Sequence, residues 1–149
     1  MKLHLDRDAF EAIILDIENR KGIRSDVLEK DYYVTLMLKE LSGKQGSMKA
    51  YFKGGTALYK ALNNINRFSE DIDLTVYVKD CQSASQMKKR LENSAEGYMC
   101  LPKLLEDKEN IKSKGNITTI YGYKPVFDQF INDPLQRFGR VKVEQHHLR

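Results

Sequence analysis

The residues best suited to chemistry lie in one segment, FKGGTALYKALNNINRFSEDIDLTVYV, which runs from Phe52 to Val78. Gly54, Gly55 and Thr56 sit where a short apolar run gives way to a helical pattern. Glycines at such a junction let a phosphate approach the backbone, and a helix N-terminus offers unpaired N–H groups and the positive end of its dipole. Thr56 adds a hydroxyl donor. Further on, Asp71 and Asp73 are two apart in a stretch that alternates polar and apolar residues as far as Val78. On a strand that spacing sends both carboxylates out of the same face, where hard oxygen ligands suit magnesium. Phosphoryl chemistry uses such a pair because two metal ions about 3.5–4 Å apart activate an attacking hydroxyl and neutralise the leaving pyrophosphate. Taken singly, Gly-Gly-Thr reads as a helix start and Asp-x-Asp as the solvent face of a strand. Taken together, with fourteen positions (57 to 70) between them, they read as one site.

The elements that must position these residues follow from periodicity. Phe10, Ile13, Ile14 and Ile17 recur at helical spacing behind the candidate caps Asp6 and Asp8. A second helix is expected from a Ser25 cap to Leu41, with an apolar middle, YYVTLML. Met48 to Phe52 suits a strand, and Leu58, Ala61, Leu62 and Ile65 give a helix starting at the glycines. Asp71 to Val78 is a half-buried strand. Ser83 opens a helix through Ala84, Met87 and Leu91, and a shorter one is expected from Pro102 with Leu104 and Leu105. Ile117 to Tyr123 and Arg140 to Gln145 read as strands.

Composition sets the frame. The 149 residues are 41% hydrophobic and 31% charged, the balance of one globular domain able to bury a core without disulfides. No apolar run is long enough to cross a bilayer, and acidic residues occupy the start where a signal peptide needs an apolar stretch, so the expected location is the cytoplasm. Cys81 and Cys100 match no metal-ligand spacing and are expected as reduced thiols. The net charge of +4 permits a polyanionic partner without requiring one. The runs Lys88, Lys89, Arg90 and Lys108, Lys112, Lys114 are read first as solvated faces and second as RNA or nucleotide contacts.

The Gly-Gly-Thr to Asp-x-Asp segment resembles the signature of the DNA polymerase β-like nucleotidyltransferase superfamily. FKGGTALYKA with RFSEDIDL, preceded by LEKDYYVTLMLKEL, is more closely similar to the AbiEii/AbiGii toxin family of abortive-infection toxin–antitoxin systems. The resemblance runs along essentially the whole chain. It implies an α+β nucleotidyltransferase fold, a small mixed sheet flanked by helices with two helices at the N-terminus. It also implies transfer of a nucleoside monophosphate from an NTP with Mg2+ (or Mn2+), an acceptor such as tRNA, and a winged-helix antitoxin as partner. Gly54, Gly55 and Thr56 would hold phosphate, with Lys53, Arg67 and Ser69 nearby as phosphate contacts or support, and Asp71 and Asp73 would be the metal ligands.

The superfamily commonly carries a third carboxylate on a later strand. Glu144 fits, since alternation places Arg140, Lys142, Glu144 and His146 on a polar face and Val141 and Val143 toward the core. His146 and His147 fall on opposite faces and are read as ordinary surface histidines. Chains of this family normally continue into a largely helical second half, so residues 1–149 resemble the N-terminal catalytic half, and weak nucleotide binding with little or no transferase activity is expected of them alone. The alternative is a nucleotidyltransferase-like domain that has lost turnover and serves as a binding or regulatory module.

Overall fold

The computed structural model describes residues 2–44, 48–53, 71–96, 98–127 and 139–147. Two helices come first. Asp6 caps α1 (Arg7–Lys21) by accepting from the Ala9 N–H at 3.1 Å, and Gly22, at φ 68°, ends it in the left-handed conformation that glycine tolerates best. In α2 (Ser25–Ser42) the cap position belongs to Arg24 and not to Ser25, which is the first helical residue and is buried. The Arg24 side chain makes no cap bond and instead forks onto Asp26 at 2.8 and 3.1 Å. The YYVTLML stretch buries Tyr33, Val34 and Met37, leaves Tyr32, Leu36 and Leu38 half-buried and exposes Thr35, so α2 has one core face and a wetter back.

The sheet has the order β1-β2-β5-β4-β3. It is built from β1 (Ala50–Lys53), β2 (Asp71–Val76), β3 (Ile111–Ser113), β4 (Asn116–Tyr123) and β5 (Gly139–His147). β2 and β5 run parallel and the other pairs antiparallel, giving the mixed sheet and α+β class expected. One face carries Ala50, Ile72, Leu74, Val76, Val141 and Val143, all fully buried beneath Val34, Met37 and Leu41 of α2 and Leu91 of α3 (Ala84–Ala95). Ser83 caps α3 by accepting from the Gln86 N–H at 3.1 Å. Two further bonds fix its place: Arg90 donates to the Tyr77 carbonyl at 3.0 Å, and the Tyr121 hydroxyl donates to the Ala95 carbonyl at 2.6 Å.

The segment after Pro102 is not a helix. β3 covers only the first half of β4, and the backbone of 102–104 covers the second half. The Leu104 N–H donates to Ile120 and the Gly122 N–H to Pro102, at 2.8 and 2.9 Å, and Lys103 bridges Tyr121. Those backbone groups satisfy a sheet edge that would otherwise stay open, which outweighs the weak helical pattern of Leu104 and Leu105. Leu105 is left 80% exposed. The short β3 and its turn at Gly115 (φ 85°) were not expected from the sequence.

Candidate active site

On the other face of the sheet β2 and β5 present polar side chains, and strand register decides which residues meet there. In the parallel pairing of β2 with β5, Asp71 stands opposite Lys142, Asp73 opposite Glu144 and Thr75 opposite His146. β1 adds Lys53 beside Asp73, and β4 adds Thr118 beside Glu144. Partners in a ladder point to the same side, so Asp71, Asp73, Lys142, Glu144 and His146 share one surface.

Within it, a carboxylate oxygen each from Asp73 and Glu144 and a ring nitrogen of His146 lie within 4.8 Å of one another. Asp71 is one pair further along, and its negative charge is felt by both Asp73 and Lys142. Burial, then the hydrogen bond and charge of Glu144, then the charge of Asp71 push the Asp73 carboxyl above its usual range. Burial acts on Glu144 in the same sense, but hydrogen bonds from Asp73 and Lys142 and the charges of Lys142 and His146 override it and hold Glu144 low. Two carboxylates this close resist ionising together unless a cation joins them.

Cationic side chains flank the acids and are themselves held. Lys142 Nζ is 3.2 Å from Glu144 Oε1 and 3.9 Å from Glu109 Oε2. Arg140 makes a two-pronged bond to Asp107, at 2.7 and 2.8 Å, and reaches Glu109 at 3.4 Å. Asp107 and Glu109 belong to the loop after Pro102, so that loop ties down the basic end of the polar face. The donor set fits a divalent cation: two carboxylates, crowded enough to raise one of them, converge from adjacent strands with an imidazole nitrogen beside them. Gly54, Gly55, Thr56, Arg67, Ser69 and the helix expected from Thr56 to Ile65 lie outside the described residues.

A family model described as nucleotidyl transferase AbiEii toxin, type IV TA system, matches residues 36–144. The chain belongs to the AbiEii family. No curated protein and no solved structure matches it. The AbiEii match takes in the Gly-Gly-Thr turn and the Asp-x-Asp strand and ends at Glu144. α1 and the first part of α2, with Glu29 to Tyr33, precede it, so the matched span is shorter than the resemblance along the whole chain.

The sequence alone does not assign His146 to this cluster. Its alternation with Glu144 was legible, but closeness to Asp73 depends on the register of β2 against β5, which no local pattern encodes. His147 points to the opposite face, as expected, where it lines a cavity with Met87 and Leu91 of α3. The basic runs are partly engaged in structure: Arg90 pairs with Asp80, and Lys112 with Glu92 at 3.1 Å. Both cysteines are free thiols, as expected. Among the described residues no helix is long and apolar enough to cross a membrane.

Proposed function

We propose that the polar face of β2 and β5 is the catalytic face of a nucleotidyltransferase toxin that moves a nucleoside monophosphate from an NTP onto an acceptor such as tRNA. The observation that carries this reading is the cross-strand pairing of Asp73 with Glu144 in a chain of the AbiEii family. In the reaction an acceptor hydroxyl oxygen bonds to the α-phosphorus, the bond to the β-phosphate oxygen breaks, and pyrophosphate leaves while the hydroxyl proton passes to solvent.

Asp71, Asp73 and Glu144 would hold Mg2+ (or Mn2+), which when bound neutralises triphosphate charge and favours the ionised acceptor oxygen. Gly54, Gly55 and Thr56 would take the NTP phosphates through backbone N–H groups and the Thr56 hydroxyl, with Lys53, Arg67 and Ser69 in support; these roles rest on the sequence motif. Lys142, held by Glu144 and Glu109, keeps positive charge beside the acids and limits their mutual repulsion. Work in the cytoplasm, beside a winged-helix antitoxin, fits membership of a toxin–antitoxin family.

The test is incubation with each labelled NTP, Mg2+ and total tRNA, alongside an Asp71→Ala, Asp73→Ala double variant. Metal-dependent label transfer that disappears in the double variant supports the proposal. Transfer that survives the double substitution refutes the site assignment, and no transfer with any NTP refutes the activity for residues 1–149.

A further inference from the structure

The geometry points to His146 as a nitrogen ligand of the cation held by Asp73 and Glu144, making the site selective for transition-metal divalent ions over Mg2+. The inference rests on the catalytic reading of this face and adds to it the class of metal. Glu144 divides its carboxylate between two neighbours, Oε1 facing Lys142 Nζ at 3.2 Å and Oε2 facing His146 Nε2 at 3.8 Å. The first distance is within hydrogen-bonding range and the second is too long for a hydrogen bond. Two donors each about 2.0–2.2 Å from a common ion stand about 3–4 Å apart, so the His146 to Glu144 separation is that of co-ligands. The third donor, Asp73, lies within 4.8 Å of both, a spread that small side-chain rotations close around one ion.

Backbone register makes this arrangement durable. His146 follows Glu144 by two positions on β5 and stands opposite Thr75, two beyond Asp73 on β2, so all three donors are fixed to adjacent strands of one sheet. Mg2+ favours an all-oxygen octahedron, whereas imidazole strengthens binding of later divalent ions such as Co2+ and Zn2+. A site built from oxygen donors alone would gain nothing from a histidine at this position.

The test titrates the full chain with CoCl2 and, separately, MgCl2 by calorimetry, and follows the visible absorption of bound Co2+. The proteins are wild type, His146→Gln, Asp73→Asn and His147→Gln. Expected are Co2+ binding at least roughly tenfold tighter than Mg2+ in wild type, and a loss of about tenfold in Co2+ affinity in His146→Gln. The Co2+ bands should shift in that variant while Mg2+ affinity stays within about twofold and His147→Gln behaves as wild type. Proton NMR of wild type guards against a folding defect in the variant: the first equivalent of Co2+ should displace the His146 ring signals and leave those of His4 in place. Unshifted His146 signals, a Co2+ titration of His146→Gln that overlays wild type, or Co2+ no tighter than Mg2+ would each overturn the inference. If Asp73→Asn leaves both metals bound as before, the catalytic reading fails instead; loss of both there with no effect at His146 leaves that reading standing and removes only the histidine.

Discussion

Asp73 lies directly opposite Glu144 across the parallel strands β2 and β5, and after burial the closeness of Glu144 is the main influence pushing the Asp73 carboxyl above its usual range. Two acids crowded this closely mark a place where a cation relieves their repulsion. Glu144→Gln is therefore expected to weaken Mg2+ binding by about tenfold or more, with tRNA labelling falling in step. Calorimetry with Mg2+ checks this directly, and unchanged affinity would remove Glu144 from the ligand set.

On the opposite face of β5, Gln145 follows Glu144 and is fully buried, with no hydrogen-bond partner for either amide atom among the described residues. Its ladder neighbours are Leu74 and Ile117, both apolar. An unpaired buried amide costs about 1–3 kcal/mol. Gln145→Leu, of similar size, is expected to stabilise the protein by about 1–2 kcal/mol. Thermal denaturation should show Tm rising by roughly 2–8 °C. A fall in Tm would mean that the amide is satisfied by buried water and that the polar group contributes to stability.

How much of this was legible in the sequence depends on whether a feature is local. The Asp6 and Ser83 caps, the alternation of Asp71 to Val78 and the polar face of β5 are set within a few residues, and the structure follows them. Ser25 was misread because a serine before an apolar run resembles a cap, whereas the chain has already turned at Arg24. The Pro102 helix failed for a tertiary reason, since 102–104 gives its backbone bonds to β4. The same limit hid His146: the meeting of Asp73, Glu144 and His146 follows from the pairing of strands far apart in sequence.

Gly122 and Leu104 show how tightly that edge is closed. A Cβ added at Gly122 would stand 2.6 Å from Leu104 Cδ2 and 2.8 Å from its Cγ, and backbone bonds at both Pro102 and Leu104 prevent the loop from backing away. Gly122→Ala should destabilise by about 1–3 kcal/mol through overpacking. Leu104→Ala creates the missing space, so the double variant is expected to be more stable than the two single losses sum to, with a coupling of about 1 kcal/mol or more. Urea denaturation of the four proteins measures it, and strict additivity would show that the two side chains do not compete for the same volume.

Glu29 offers a prediction in pH. Its carboxylate, 1% exposed in α2, accepts from the Val126 and Phe127 N–H groups at 2.8 and 3.3 Å and so fastens the chain just beyond β4. Burial, the largest influence, raises its pKa, and the two backbone N–H groups and Arg7 offset this only in part. The folded state thus binds the Glu29 proton more tightly than the unfolded state does. Between the ordinary glutamate value and the raised one, the folded chain carries more of that proton, so stability from Glu29 is fullest below the window and declines as pH rises through it. Glu29→Gln cannot titrate. Whatever its baseline, the difference in urea midpoint between wild type and Glu29→Gln should move in favour of wild type as pH is lowered from about 7 to about 4. A shift in favour of the variant over that range would mean that the N–H groups stabilise the carboxylate by more than burial costs it.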